Sequence, residues 1–216
     1  VKVSEMFDRV LVRSGQYIIK PKYIELDVDR FRVLVEDACA LYSKSRPFDR
    51  DYDINFRGNL QYTFTDTFDL ELKRVPNWIS EVKPTNLGRF YDSPYNSSSV
   101  SETIELPWVY EKPVLTVPYY SMFRVKAVYK HIVESVPVEN NTPEYEVKTI
   151  TVEDDMFFKI LQAYFLQGLG RSRRAFTHND LPITMDADTL AGEAETMLND
   201  IKEEIQNVQK FHLAIG

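Results

Sequence analysis

The spacing of apolar residues changes twice along this chain, from three-and-four at the start to two in the middle and back to three-and-four at the end. A period near 3.6 belongs to a helix with one buried stripe, and a period of two to a strand with one buried face. A chain of 216 residues patterned in this way is expected to be α+β: helical N- and C-terminal parts forming a helix bundle, a central antiparallel β region and a long exposed loop. The expected division is a single domain in which 1–47 are helical, 48–150 are a β-rich insertion and 151–216 are helical with an extended C-terminal tail.

In the first third, Ser4 is placed to cap a short helix with Phe7, Val10 and Leu11 on one face and Gly15 as its stop. Asp27 is expected to cap a longer helix carrying Phe31, Leu34, Ala38, Leu41 and Tyr42, which ends ahead of Pro47 because the residue before proline disfavours helical geometry. Tyr52, Ile54 and Phe56 then alternate with Asp51, Asp53 and Asn55, and Gly58-Asn59 predicts a turn into Leu60, Tyr62 and Phe64. The expected product is a hairpin with one aromatic face. Phe68, Leu70 and Leu72 repeat the alternation. From Lys83 to Ser101 no period can be assigned, and this serine-rich stretch is expected to be a long loop that orders against a neighbour. Trp108 to Tyr110 and Val114 to Val117, broken by Pro113, belong at sheet edges. Phe123, Val125, Ala127 and Tyr129 give a stronger strand, and 143–150 a last one.

The final third reads as two helices. Thr151 and Asp154 form a capping-box variant; Phe157, Ile160, Leu161, Tyr164 and Phe165 follow on one side, and Gly168 and Gly170 are expected to end the helix. A last helix starting near Asp186 or Asp188 carries a seam of Leu190, Ala194, Met197, Ile201, Ile205 and Val208. The apolar tail after it is too short to bury itself. Phe211, Leu213 and Ile215 alternate and are expected to bind a partner as an extended strand added to an open sheet edge.

Composition limits the chemistry. With 33 acidic against 26 basic side chains the net charge is −7, which excludes adhesion to nucleic acid through overall charge. The lone Cys39 forms no internal disulfide and reads as a core residue, while His131, His178 and His212 are scattered without metal or nucleophile spacing. No cofactor is expected. Asp51 and Asp53 share a strand face and could be imagined as an acid/base or hard-metal pair. The preferred reading makes them solvated residues opposite the aromatic face. Arg171, Arg173 and Arg174 form one basic cluster in a segment, 151–216, that holds 6 basic and 11 acidic residues. Three readings stay open for them: pairing with acidic groups of the same or a neighbouring subunit, plain solvation, or contact with DNA phosphates. No apolar run approaches the roughly 18 residues of a membrane span. The first residues carry no hydrophobic signal region, so a soluble cytoplasmic product is expected, with Val1 read as following loss of an initiator methionine.

The block Ala38-Cys39-Ala40-Leu41-Tyr42-Ser43-Lys44-Ser45-Arg46-Pro47, followed by extended Tyr52-Asp53-Ile54, resembles the helix-then-strand entry of head-to-tail connector (neck, adaptor) proteins of tailed bacteriophages. The run from Trp108 to Leu115 and the C-terminal pair of helices are similar to the rest of that pattern. The resemblance implies a non-enzymatic virion structural protein: a homo-oligomeric ring below the portal, around the DNA channel. The implied partners are further copies of itself, the portal, neighbouring neck or tail proteins and, non-specifically, packaged DNA, with no membrane. The Lys83 to Ser101 stretch departs from the compact form of that family and keeps a baseplate or tail-completion role open. A hydrolase or nuclease using the scattered carboxylates, and a peptide- or carbohydrate-binding module using the aromatic face, are the readings from other classes.

Overall fold

The computed structural model describes residues 1–16, 28–56, 60–85, 107–118, 122–137, 144–175 and 187–215, apart from the side chains at 28, 174, 175 and 208–215. The fold is α+β with helices at both ends, and it divides into two compact units: Val1–Pro47 with Lys130–Gly216, and Phe48–Tyr129.

In the helical unit, α1 (Val3–Arg13) buries Val3, Met6, Phe7, Val10 and Leu11. It starts one residue ahead of the expected Ser4 cap. Lys2 is the N-cap and offers no side-chain cap, because its ammonium has only donors to bring to the free N–H groups; the chain there is extended, where Lys2 bridges Glu146 and the Val147 N–H donates to Val1 O at 2.9 Å. Gly15 does stop the helix, at a φ of 68° that a side chain would strain. Helix α2 (Val28–Ser45) buries Phe31, Val35, Ala38, Cys39 and Tyr42; its proposed cap, Asp27, lies outside the described residues.

Helix α3 spans Asp155–Ala175, so two expectations are corrected. Thr151 is not its cap. The Thr151 N–H and hydroxyl both donate to Asp154 Oδ2, at 2.6 and 3.0 Å, closing a turn ahead of the helix, and Asp154 O accepts its first bond from the Phe158 N–H. Nor do Gly168 and Gly170 end it. A Cβ on Gly170 would stand 3.0 Å from Ala187 O and 3.2 Å from Ala191 N, so this glycine lets α4 (Ala187–Ile215) approach closely. The rings of Phe7, Phe31 and Phe165 meet edge-on at centroid distances of 4.9, 6.1 and 6.2 Å, joining α1, α2 and α3. Leu190, Ala194, Ile201 and Ile205 of α4 complete the core.

The two short strands β7 (Glu134–Val136) and β8 (Glu144–Glu146) pair antiparallel, and Val147 and Ile150 enter the helical core. The β-rich insertion therefore ends at Tyr129 rather than at residue 150. Its strands are β1 (Phe48–Asn55), β2 (Gln61–Thr63), β3 (Trp78–Pro84), β4 (Val109–Glu111), β5 (Val114–Thr116) and β6 (Met122–Tyr129), in two three-stranded antiparallel sheets ordered β1-β6-β3 and β2-β5-β4.

The expected hairpin between β1 and β2 does not form. β1 pairs along its whole length with β6, from Phe48↔Tyr129 to Asn55↔Met122, whereas β2 pairs with β5. The aromatic face survives the change of partner: Ile54, Phe56, Phe64 and Phe123 share one core, and Phe56 meets the Phe123 ring at 90° and 5.5 Å. Gly58-Asn59 lies outside the described residues. Phe68, Leu70 and Leu72 are not on a strand but in turns, with Leu70 79% exposed and Leu72 buried. Strand β3 reaches Pro84, past the expected start of the loop at Lys83; the rest of that loop from 86 to 101 lies outside the described residues. No described helix is long and apolar enough to cross a membrane.

Candidate functional site

Chemistry in a folded chain gathers where titratable groups are buried and perturbed, and the described residues of the β unit form such a centre at Asp69. Asp69 is 5% exposed. Its Oδ1 accepts from the Glu71 and Leu72 N–H groups, each at 2.9 Å, and its Oδ2 accepts from Arg50 Nη1 at 2.6 Å and from the Tyr52 hydroxyl. Tyr52 gives its proton to Asp69, so the Tyr129 hydroxyl, 2.9 Å away, donates to Tyr52. Burial alone would raise the Asp69 carboxyl. The Tyr52, Leu72, Arg50 and Glu71 donors outweigh it and hold the group at about 2. Burial, and then the bond to Asp69, pushes the Tyr52 hydroxyl up.

The centre is built by local sequence. Arg50 and Tyr52 stand two apart on β1 and so point to the same face, while Asp69 opens a turn whose carbonyl accepts from the Lys73 N–H at 2.7 Å, Lys73 itself being left-handed at φ 51°. Four donors occupy both carboxylate oxygens. An anchored carboxylate of this kind fixes the irregular 64–77 segment to β1; it has no lone pair directed at a substrate. Sequence reasoning missed it, because Asp69 sits among alternating apolar residues with no motif around it. A signal was available in Asp69-Leu70-Glu71-Leu72, where a short acid can bond its own backbone two and three residues on.

The helical unit holds a second polar centre. His131 is 5% exposed. Its Nε2 lies 2.8 Å from Arg46 O, which only accepts, so Nε2 carries a proton; Nδ1 is 2.7 Å from the Thr149 hydroxyl. Ser43 Oγ donates to Cys39 O at 2.6 Å and accepts from the His131 backbone N–H at 2.8 Å. The hydroxyl thus meets the histidine's backbone and not its ring, and Ser43 and His131 do not form a nucleophile and base. Cys39 is buried, as expected, and His178 and the His212 side chain lie outside the described residues.

The remaining sequence candidates are dispersed. Asp51 and Asp53 are exposed on the outer face of β1, opposite Lys126 and Arg124, and Asp53 pairs with Arg124 at 3.2 Å. Among the described residues no group of acidic, histidine and cysteine side chains is placed to hold a metal ion. Because α3 continues to Ala175, Arg171 and Arg173 stand on a helix and not in a loop, and residues two apart are about 200° apart around the axis. Arg173 donates to Gln16 Oε1 at 3.3 Å, and the exposed Arg171 lines an outer groove between α3 and α4; the Arg174 side chain lies outside the described residues. The expected extended tail is also corrected. Helix α4 runs through Ile215, which removes the strand geometry proposed for Phe211, Leu213 and Ile215, whose side chains are outside the described ones.

The groove between α3 and α4 has a volume near 470 Å³ and is walled by Gln167 and Arg171 on one side and by Asp188, Glu195, Leu198 and Lys202 on the other. Its lining mixes both charges with amides and one leucine, the character of a protein-contact surface and not of an enclosed ligand cavity. No protein-family model matches this sequence, and no curated protein is similar to it.

Proposed function

We propose that this chain is a structural subunit without catalysis, a head-to-tail connector of a tailed bacteriophage that assembles as a homo-oligomeric ring below the portal, around the DNA channel. The observation that carries the reading is the junction at Pro47: α2 ends at Ser45 and β1 begins at Phe48, the helix-then-strand entry on which the resemblance to connectors rests. Support of a second kind comes from the two polar centres. The groups best suited to chemistry, Asp69 and His131, spend their hydrogen bonds on holding turns and helix ends in place. In this reading Arg171 and Arg173 belong to contacts within and between subunits, and the virion neck is the site of action.

The test is direct. Purified full-length protein, imaged by negative-stain electron microscopy with and without the portal, is expected to form rings that cap the portal's tail-facing end. Antibody labelling of virions is expected to mark the neck. Label at the distal end of the tail would replace this reading with the baseplate one, and turnover of nucleic acid or glycan that survives rigorous purification would end the non-catalytic reading.

A further inference from the structure

We propose that the free edge of β1 is a docking site for an extended basic segment of a partner protein, one with Lys or Arg at every second position, which joins the β1-β6-β3 sheet as a fourth strand. This docking goes beyond the connector reading and does not depend on it. Strand β1 is eight residues long and stands at one side of its sheet, paired with β6 alone. In an antiparallel pair every second residue turns its N–H and C=O away from the neighbouring strand. Among the described residues no hydrogen bond joins the β1 backbone to anything but β6. Open edges are commonly blunted by proline, bulges or shortness. The other described edges of this unit are blunted in those ways: β3 has its register shift and Pro84, and β2 and β4 have three residues each. Strand β1 runs for about 26 Å with no proline, glycine or shift.

Charge chooses the occupant. Asp49, Asp51 and Asp53 form one exposed row on the outer face of β1, against only two cations, Arg124 and Lys126, on β6. Both cations are engaged, and each takes a single carboxylate oxygen. Arg124 Nε lies 3.2 Å from Asp53 Oδ1, and Lys126 Nζ lies 3.5 Å from Asp49 Oδ2. The second oxygens of Asp49 and Asp53, and both oxygens of Asp51, enter no ion pair among the described residues. A strand added on the far side of β1 continues the pleat, so every second side chain of it falls beside that row. Lys or Arg at those positions sets the three acids between two basic rows. A second copy offering its own β1 would set aspartates against aspartates, an opposition that destabilises a sheet. The edge therefore rejects itself and selects a basic strand, held by backbone bonds and sorted by alternate side chains. Because the acids are exposed, docking is weak and reduced by salt.

Fluorescence anisotropy of the full chain at low salt tests this with two labelled peptides of one composition. One is the alternating Thr-Arg-Thr-Lys-Thr-Arg-Thr-Lys, the other an isomer with its basic residues in a single block. The alternating peptide is expected to bind one to one and roughly tenfold tighter than the block isomer. Asp51→Asn is expected to weaken it roughly threefold, and the joint change Asp49→Asn, Asp51→Asn and Asp53→Asn roughly tenfold or more. Amide hydrogen exchange on the unaltered chain gives a second reading: the alternating peptide should slow every second amide of β1 and leave β3 as it was. Equal affinity for the two peptides overturns the proposal, since bulk charge then accounts for the binding. So does an affinity indifferent to the three aspartates, or exchange along β1 that the peptide does not slow. If the triple variant fails to fold, the exchange pattern of the unaltered chain decides. A peptide-free chain that dimerises on sedimentation, with its β1 amides slowed, gives the edge to a second copy and also overturns the proposal. Rings at the portal, present or absent, are independent of all these outcomes.

Discussion

The β unit closes around a carboxylate, whereas the helical unit closes around three phenylalanine rings. At Asp69 the fold depends on directional bonds, one oxygen holding two donors from β1 and the other two donors from a turn. At Phe7, Phe31 and Phe165 it depends on area and shape, with neighbouring aromatics replaceable in principle by anything apolar of the right volume. The difference follows from regular structure. Helices satisfy their own backbones and leave the core to side chains, but the β unit carries 64–77 without a strand, and buried backbone groups in such a segment need partners supplied from elsewhere.

This contrast can be broken by experiment, because both tryptophans, Trp78 and Trp108, lie in the β unit. Tryptophan emission therefore follows that unit, and helical ellipticity follows chiefly the other. The largest expected effect is from Phe165→Ala, which leaves a cavity where three helices meet: about 3–5 kcal/mol, read as a fall in the denaturation midpoint of ellipticity. An equal shift in tryptophan emission would show the two units unfolding as one.

Next comes Asp69→Ala. It strands the Tyr52 hydroxyl and two backbone donors and takes one of two acidic partners from Arg50, whose Nη2 keeps Glu71 at 2.6 Å, and is expected to cost about 3 kcal/mol, seen first in tryptophan emission. The same centre sets an acid response. The folded carboxyl at about 2 lies below the 3.8 of a free one, so its contribution is complete above pH 3.8 and is lost as pH falls through about 2, some 2 kcal/mol in all. Asp69→Asn should flatten that acid limb of the tryptophan transition.

A smaller effect, of opposite sign at two positions, tests the helical packing. Gly170→Ala pushes a methyl against backbone atoms of α4 and is expected to destabilise by about 1 kcal/mol despite its better helix propensity, whereas Gly192→Ala meets open space and gains up to about 1 kcal/mol. Thermal melts of the two variants, side by side, decide it. The smallest effect is at the outer face of β1. Asp53→Asn removes an ion pair in which both partners are more than half exposed and should leave the melting midpoint unchanged, as a solvated residue would.

The helices were legible in the sequence because their stripes are long: Phe31, Ala38 and Tyr42, or Leu190, Ala194, Ile201 and Ile205, are all buried as their spacing implied. Strand faces were legible too, yet partners were not. Alternation says which side of β1 is buried but not that β6, some seventy residues on, covers its edge. Strand β3 escaped notice for a local reason: a register shift between Ile79 and Glu81 puts the buried Ile79 and Val82 three apart instead of two. Gly170 misled for the converse reason, a residue that usually ends helices serving here as a point of contact between two. Of the candidate site residues, the spacing alone placed Asp51 and Asp53 correctly as solvated. The Asp69 and His131 centres depend on residues 17 to 88 positions apart, a distance over which a single sequence carries no pattern.

The division of the chain also sets a timetable. The β unit is one continuous stretch, Phe48–Tyr129, but the helical unit is made from both sides of it. During synthesis α1 and α2 emerge long before their partners, since α3 begins 155 − 45 = 110 residues after the end of α2. At the usual rates of translation that interval is roughly 5–20 s, and through it Phe7, Phe31 and Val35 have no α3 to cover them. The inserted unit has its whole sequence available first, so the newborn chain is expected to mature from the middle outwards. The helical segments on either side of the insertion come together only once α3 and α4 have left the ribosome.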